Sequence, residues 1–328
     1  MEQGIIGSID IGGTKVAVTI ATRDGVLCRR AQPTRKTGTE EALPEQVAEM
    51  LQSACKESGA SRLDAVGVSS AGPFASIDGQ LTMISPNICG GLSADSGLAN
   101  NWLHVPLERV LRRHFERLVI CNDAVAALQA ERMFGAVKDE PDCIYVTWST
   151  GVGFGLCVDG KLLGGKHGNA GHAGHMLMSE TSDALCGCGN RGDLEGMISG
   201  RNLERRFGHS TVEIFNAARR GDQTAHALVL DAARWLGRAL YNLTVVLDTR
   251  RIVIGGSVWE HHADWLSPFV QQEISSRMAA LTRDVEVLSA GLGPLVADIG
   301  ALSLVLPPEW KNDWVRNRPW QPLLEQAS

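Results

Sequence analysis

The chain has 328 residues, a length that allows two domains, each with its own hydrophobic core. Hydrophobic residues make up 44% of it and charged residues 21%, which is typical of a globular protein and excludes the disordered and fibrous classes. The net charge of −6 argues against a general nucleic-acid binder, because such proteins depend on a basic face. Any phosphate that this protein handles must therefore be held by a local site.

Signals for a membrane or for secretion are not evident in the sequence. No apolar run approaches the roughly 18 to 20 residues that cross a bilayer, and the N-terminal residues lack the basic region and apolar core of a signal peptide. Most of the eight cysteines stand singly in apolar surroundings, as reduced core cysteines do. We therefore expect an intracellular, cytoplasmic protein without a membrane partner.

Residues 4–20 predict a β-hairpin whose tight glycine turn carries the sequence DIGGTK. Gly12 and Gly13 let backbone N–H groups approach an anion closely, and Thr14 adds a hydroxyl. Asp10 lies where its carboxylate can hold a water molecule on Mg²⁺. A plain glycine hairpin turn is the alternative interpretation. The pattern GxxxxGK[ST] is absent here and no helix follows directly, so P-loop and Rossmann sites are excluded.

The next elements bring polar residues to the ends of strands. Apolar residues at helical spacing predict a helix within residues 40–58, and a strand starts at Ala65. That strand runs into a sharp turn that places Gly72 on a rim. Asn87 follows a proline in a polar, glycine-rich loop, where asparagine commonly supports a turn; contact with a polar ligand such as a sugar is the other interpretation.

A short apolar strand ends at Asn122 and Asp123, and a helical run follows directly. One interpretation is that Asp123 stabilises the helix N-terminus through the free N–H groups and the helix dipole. The other is that it acts as a general base in a cleft, because open α/β sheets place their chemistry at the carboxyl ends of strands. Position alone favours the capping role.

A second hairpin is predicted within residues 142–160, with STGVG at its tip. It repeats the pattern of the first hairpin, a strand, a turn with glycine and threonine, and a second strand, once in each half of the chain. Two such turns, the second with Thr150 and Gly151, can clasp a polyphosphate through backbone amides and hydroxyls. The repeat therefore predicts a duplicated fold with two domains beside a cleft.

The stretch from Gly171 to Gly200 concentrates potential metal ligands in a glycine-rich loop. His175, Cys186, Cys188 and Asp193 offer one nitrogen, two sulfurs and one oxygen, a donor set that suits Zn²⁺. Such a density of ligand residues in a compact loop predicts a metal site.

The C-terminal third contains one more candidate ligand site. Residues 224–247 predict a long core helix. A buried strand then opens onto Gly255, Gly256 and Ser257, where two glycines at a strand end permit close approach of a flat ligand such as adenine or ribose. A simple tight turn is the alternative.

The chain ends in a tail that is rich in tryptophan. A last helix is predicted within residues 297–305, and Trp310, Trp314 and Trp320 follow it. Three large aromatic side chains are seldom left in water, so we expect this tail to be pinned to a surface of the protein or to a partner subunit.

Taken together, the motifs resemble the ROK family of sugar kinases, within the actin, hexokinase and Hsp70 superfamily. The resemblance covers roughly residues 4 to 305 and consists of nine short motifs in family order. These are DIGGTK at 10–15, AGP at 71–73, PN at 86–87, ND at 122–123, STGVG at 149–153, GH followed by CxCG from Gly174, LE at 194–195, SG at 199–200 and GGS at 255–257.

The resemblance implies an α/β fold of the duplicated actin-like ATPase, or ribonuclease H-like, type with two domains flanking a cleft. It implies a smaller domain at residues 1–121 plus 303–328 and a larger domain at 122–302 that contains the zinc-type loop. It also implies ATP-dependent transfer to the 6-hydroxyl of a hexose or N-acylhexosamine, with Mg²⁺ as cofactor, and a homodimer.

The residue roles that the resemblance implies fall into three groups. Asp123 becomes the general base that receives the hydroxyl proton. The sugar contacts are Gly72, Asn87, Asn122, His172, His175 and Glu195. The nucleotide contacts are Asp10, Gly12, Gly13, Thr14, Lys15, Thr150, Gly151, Gly255, Gly256 and Ser257.

Two departures from the family pattern bear on metal and substrate. Asp193 stands where the family usually has a third cysteine, so a zinc site with one carboxylate ligand is implied, or a weakened one. His172 stands where many family glucokinases have a glutamate, and bacterial N-acetylmannosamine kinases of the family resemble this chain in carrying a histidine there. Since an imidazole replaces a carboxylate acceptor, N-acetylmannosamine is favoured over glucose, with a glucokinase as the alternative.

The family also contains proteins that are not enzymes. Its sugar-responsive repressors carry an N-terminal helix-turn-helix domain, and here DIGGTK begins at residue 10, so we do not expect that domain. A non-catalytic sugar sensor is a further alternative, disfavoured because Asp10 and Asp123 are both present.

Overall fold

The computed structural model describes residues 4–92 and 97–322, and the chain divides into two compact units. The first unit contains Met1–Gly135, Gly164–Ala170 and Pro294–Ser328, and the second contains Ala136–Leu163 and Gly171–Gly293. Residues 93–96 of the predicted loop after Asn87, and residues 323–328 of the predicted smaller domain, lie outside the described residues.

The elements follow one another in α/β order. The strands are β1 (Ile5–Ile11), β2 (Lys15–Thr22), β3 (Val26–Pro33), β4 (Ala65–Ser70), β5 (Phe74–Ile77), β6 (Gln80–Met83), β7 (Leu118–Asn122), β8 (Cys143–Trp148), β9 (Val152–Val158), β10 (Lys161–Leu162), β11 (Arg251–Gly255) and β12 (Glu286–Ser289). The helices are α1 (Ala42–Glu57), α2 (Leu107–Leu111), α3 (Asp123–Phe134), α4 (Leu194–Ile198), α5 (Gly200–Phe207), α6 (Thr211–Arg219), α7 (Gln223–Leu247), α8 (Ser257–Glu260), α9 (Ala263–Ser275), α10 (Ala279–Thr282), α11 (Val296–Ser303) and α12 (Lys311–Asn317). Within residues 4–92 and 97–322, no helix has the length and apolar character that a membrane span requires.

The two units contain five-stranded sheets with the same topology. The strand order is β3-β2-β1-β4-β7 in the first and β10-β9-β8-β11-β12 in the second. In each sheet the hairpin strands pair antiparallel, β1 with β2 and β8 with β9, and the two later strands run parallel to the first strand of the hairpin. The duplicated fold and both glycine-tipped hairpins are thereby confirmed.

Helices pack against each sheet, and each sheet forms a separate hydrophobic core with its helices. In the first unit, α1 packs Leu43, Val47 and Leu51 against the sheet, and all three side chains are buried. In the second, the 25-residue helix α7 contributes Leu236 and Leu240 to a core that it shares with β8, β9 and β11. Both faces of the central strands are buried, which explains their continuous apolar sequence.

Helices α3 and α11 pack closely within the first unit. A Cβ built on Gly300 would lie 3.0 Å from the backbone carbon and oxygen of Ala126, so a larger residue would crowd the two helices. Both helices therefore belong to the same compact unit. The divisions between the units accordingly differ from the predicted domain boundaries at 121/122 and 302/303.

The tryptophan-rich tail packs on the first unit itself. Trp314 is fully buried, and its Nε1–H donates to the carbonyl oxygens of Thr22 at 3.3 Å and Arg23 at 3.1 Å. The Phe134 ring lies 6.1 Å from Trp314 and 5.0 Å from Trp320 between ring centroids. The tail is thus pinned to this chain's own surface, between the β2–β3 turn and the C-terminal end of α3.

Truncation of Trp314 should destabilise the protein strongly. Because the indole is fully buried, we expect Trp314→Ala to lower the free energy of unfolding by about 3 to 5 kcal/mol. The control is Trp235→Ala, since Trp235 is only half-buried and should cost clearly less. Denaturant unfolding followed by circular dichroism measures both losses. Equal losses in the two variants would contradict the packing described here.

Candidate active site

The carboxyl ends of three parallel strands meet at one edge of the first unit's sheet. Strands β1, β4 and β7 pair in parallel, so the residues that follow each strand lie at the same edge. Asp10 is the second-last residue of β1, Gly72 follows β4, and Asn122 ends β7. Ala71 N–H donates to the carbonyl oxygen of Ile11 at 3.0 Å, which holds the turn after β4 against the end of β1.

The β1–β2 turn is braced from the end of β3. Thr34 donates its hydroxyl to the carbonyl oxygen of Gly12 at 2.8 Å and its N–H to that of Thr14 at 3.0 Å. Neither Gly12 nor Gly13 has a positive φ, so what these glycines supply is space rather than a left-handed backbone. A Cβ built on Gly13 would already lie 3.4 Å from the Cβ of Asn87. The predicted sugar contact Asn87 thus sits directly over the predicted phosphate turn.

Asp10 belongs to a group of interacting carboxylates. Its Oδ1 accepts a hydrogen bond from the Ser69 hydroxyl at 3.0 Å. Burial, and after it the negative charges of Asp298 and Asp123, raise the pKa of Asp10 to about 7, while Ser69 and Lys15 act in the opposite direction. Asp10 and Asp123, the predicted magnesium and base residues, are therefore close enough to influence each other electrostatically.

Asp298 is a buried carboxylate that the sequence analysis did not single out. It lies in α11, and its Oδ1 accepts hydrogen bonds from Thr19 Oγ1 and Arg29 Nε, both at 3.0 Å. The signal that identifies it is an aspartate within the apolar run VADIGALSLV, because an acidic residue is rarely buried without a partner.

The helix cap at the start of α3 is provided by Asn122. Its side-chain oxygen accepts from Ala124 N–H at 3.0 Å, and Asp123 is the first helical residue, whose Oδ1 accepts from the same N–H at 2.8 Å. The capping role that position favoured for Asp123 is therefore shared with its neighbour Asn122.

The β8–β9 turn in the second unit is held by residues that follow the metal-type loop. Gly200 N–H donates to the Ser149 carbonyl at 2.9 Å, and Arg201 N–H to that of Thr150 at 3.3 Å. The Glu195 Oε2 accepts from Val152 N–H at 2.9 Å and would lie 2.9 Å from a Cβ on Gly151. The predicted sugar contact Glu195 therefore also shapes the predicted phosphate turn.

The Gly-Gly-Ser turn follows β11, which runs parallel to β8, so both turns lie at the same edge of the second sheet. Gly256 has a φ of 91°, and a Cβ there would meet the backbone of Trp148 at 2.6 to 2.8 Å. Both the backbone conformation and the crowding require glycine at this position. Ser257 begins α8 and is exposed.

The four predicted metal ligands come together. The ligand atoms of His175, Cys186, Cys188 and Asp193 all lie within 4.8 Å of one another. Asp193 Oδ2 is 3.2 Å from His175 Nδ1 and 3.3 Å from Cys188 Sγ, and Cys186 Sγ is 3.7 Å from the same Nδ1. The hydrogen bond to Asp193 raises the pKa of His175.

The loop geometry explains how distant residues reach this cluster. Gly192 has a φ of 71°, and a Cβ there would lie 1.9 Å from the Ser179 carbonyl oxygen, so the two arms of the loop touch through a glycine. The other carboxylate oxygen of Asp193, Oδ1, caps α4 by accepting from Gly196 N–H at 2.7 Å. His172 lies one turn before His175, with 6.1 Å between their ring centroids.

Comparison with solved structures shows the fold class of this chain. The chain superposes on the crystal structure of a ROK hexokinase from Thermus thermophilus with a TM-score of 0.76 and 30% identity, covering 91% of this chain and 97% of that one. A ROK family glucokinase from Streptomyces griseus, solved with glucose and AMPPNP, matches with a TM-score of 0.66 and 27% identity over 92% of this chain and 99% of that one. The fold is the duplicated actin-like ATPase fold.

The family follows from the sequence comparison. The model of the ROK family matches residues 6–307, so the chain belongs to the ROK family. An N-acetylmannosamine kinase of Escherichia fergusonii is 36% identical over 261 residues, which are 76% of this chain and 82% of that protein.

The raised pKa of Asp10 leads to a prediction about stability. The folded protein keeps Asp10 protonated up to about pH 7. The contribution of this proton to the free energy of unfolding is therefore complete below the pKa that Asp10 has in the unfolded chain, and it is lost as the pH rises through about 7. We expect Asp10→Asn to raise the melting temperature without added Mg²⁺, by a few degrees at pH 8 and by less at pH 5. The exposed Asp284→Asn is the control and should show no such difference. Thermal unfolding at the two pH values measures the change in melting temperature. An equal increase at both pH values would contradict the raised pKa of Asp10.

Proposed function

We propose that this protein transfers the γ-phosphoryl group of ATP to the 6-hydroxyl of an N-acylhexosamine, with N-acetylmannosamine favoured over glucose. Its ROK family relatives include sugar kinases named for N-acetylmannosamine and for hexoses. The observation that carries the proposal is the edge of the first sheet, where Asp10, Asp123 and the braced turn at Gly12 lie together, with Asn87 over Gly13.

Each residue group has a task in this reaction. Asp123 accepts the proton of the attacking hydroxyl, and Asp10 would help to hold Mg²⁺. When bound, Mg²⁺ neutralises charge on the phosphates. The turns at Gly12–Thr14 and Thr150–Gly151 offer backbone amides and hydroxyls to phosphate oxygens, and Gly255, Gly256 and Ser257 receive the adenosine. Phosphoryl transfer requires mainly such positioning and charge stabilisation, and little covalent chemistry from the protein.

The sugar contacts are proposed on the resemblance and on local geometry. Asn87 and Gly72 follow strands of the first unit, and Asn122 is the last residue of one. In the second unit, His172, His175 and Glu195 lie on or beside the metal-type loop. The His175 Nδ1 faces Asp193 and Cys186, which leaves Nε2 as the ring nitrogen for a sugar hydroxyl.

Substitution of Asp123 tests the reaction directly. We expect Asp123→Asn to lower kcat by about 10²- to 10⁴-fold while sugar affinity stays nearly the same, because the amide cannot accept the proton. Coupled ATP consumption with a panel of hexoses and N-acylhexosamines measures turnover, and calorimetry measures sugar binding. The control is Asp284→Asn. Full turnover in Asp123→Asn would refute the base, and binding without turnover in the wild type would favour a sugar sensor.

The same panel decides the substrate. N-acetylmannosamine should give a higher kcat/KM than glucose, and His172→Glu should move the ratio towards glucose, since a carboxylate then replaces the imidazole as acceptor. A wild-type preference for glucose would favour the glucokinase alternative. The homodimer and the cytoplasmic location stay predictions of the family resemblance.

We also propose that the four clustered ligands hold a structural Zn²⁺. One imidazole, two thiols and one carboxylate form a suitable donor set, and their atoms are already grouped. Bound zinc fixes the loop that carries His172, His175 and Glu195. Because Oδ1 of Asp193 caps α4, only Oδ2 is available to the metal.

Elemental analysis tests the metal site. Protein purified without added metal should contain about one zinc per chain. Asp193→Asn keeps an oxygen for the helix cap but removes the charged ligand, so its zinc content should fall well below that of the wild type. Cys28→Ser, outside the loop, is the control. A wild-type content well under half an equivalent would contradict the proposal.

A further inference from the structure

The side chain of Asn100 uses its full hydrogen-bonding capacity within the first unit. Its Oδ1 accepts from Gly90 N–H at 2.8 Å and from Trp102 N–H at 3.1 Å. Its Nδ2 donates to the carbonyl oxygens of Ile88 at 3.0 Å and Lys36 at 2.9 Å. A primary amide has two donors and two acceptor positions, so one side chain joins three backbone segments.

Further contacts tighten the same junction. Gly91 N–H donates to the Trp102 carbonyl at 2.9 Å, and the buried Trp102 indole donates to the Gly38 carbonyl at 3.0 Å. A Cβ on Gly90 would lie 2.1 Å from the backbone oxygen of Asn100, so glycine is required at this approach. The segment 88–91 is therefore tied to the chain at Lys36–Gly38 by side chains distant in sequence.

The junction continues to the phosphate turn. Thr34, two residues before Lys36, binds the carbonyl oxygens of Gly12 and Thr14. On the other side, Asn87 immediately precedes Ile88, and its Cβ is 3.4 Å from a Cβ built on Gly13. The contacts thus form a closed ring that starts at the turn, passes through Thr34, Lys36, Asn100 and Ile88, and returns through Asn87.

We propose that Asn100 is a positioning residue that fixes Asn87, and so the sugar, at a set distance from the phosphate turn. This inference rests on the proposed function, in which Asn87 contacts the sugar. Asn100 acts only through the loop and touches no reacting atom. Its loss should let the segment 88–91 move, so that Asn87 is no longer held in place for the sugar and the sugar binds more weakly.

The neighbouring Asn101 offers a matched control. It is the same residue type, it is exposed, and the same alanine substitution can be made there. We expect Asn100→Ala to raise the KM for the sugar roughly tenfold while the KM for ATP changes less than about twofold. Asn101→Ala should match the wild type. If both variants show the same sugar KM, the proposal is wrong.

A double-mutant cycle separates positioning from general stability. If Asn100 acts through Asn87, then Asn100→Ala should add almost nothing to the sugar KM of Asn87→Ala. A full tenfold effect in that background would overturn the proposal even if Asn100→Ala alone is impaired. Thermal unfolding confirms that each variant is folded, and Asn100→Asp, which keeps both acceptor bonds, replaces the alanine variant if that one does not fold. If the wild type shows no sugar-dependent turnover, the proposed function is wrong. If turnover is present but the effects of the two substitutions on the sugar KM are additive, only the positioning role of Asn100 is wrong.

Discussion

The parallel pairing of strands behind each hairpin is the constraint on which the rest of this structure depends. In each unit, the two strands that follow run parallel to the first hairpin strand, so their carboxyl ends and the hairpin turn share one edge. Parallel strands need long connections, and these connections supply the helices that bury both faces of the sheet. Loops with quite different sequences are thereby brought to the same edge, where the proposed catalytic and ligand-binding residues lie.

Burial at that edge has an electrostatic consequence. The negative charge of Asp298, which is buried in α11, raises the pKa of the nearby Asp10. Arg29 and Thr19 donate hydrogen bonds to Asp298, whereas the Ser69 hydroxyl and the charge of Lys15 only partly offset the rise in the pKa of Asp10. The incompletely compensated carboxylate is the one proposed to serve Mg²⁺. An active site that awaits a divalent cation is expected to carry such a destabilising charge, because the cation supplies the missing compensation.

Local patterns made much of the fold and of the site predictable. Glycine turns between β-branched runs identified both hairpins, and two cysteines separated by one residue, with a histidine and an aspartate nearby, identified a cluster that the structure indeed assembles. What could not be predicted depends on contacts between distant segments. Asn100 reads as an ordinary loop asparagine until its partners at Lys36 and Ile88 are known. The tail's attachment to Phe134 and the β2–β3 turn likewise has no local signal.

The aspartate at position 193 shows how one residue can satisfy two local demands at once. A cysteine there would offer a metal a softer ligand, but its thiol is a poor acceptor for the first N–H groups of a helix. Asp193 divides its two oxygens, one capping α4 through Gly196 and the other facing His175 and Cys188. Glu195 stands in the first turn of that helix and accepts from Val152 N–H in the β8–β9 turn. The cap therefore links the ligand cluster to the phosphate turn through a single short helix, and any change in how Asp193 holds its partners should be transmitted to Gly151 and Val152 through the side chain of Glu195.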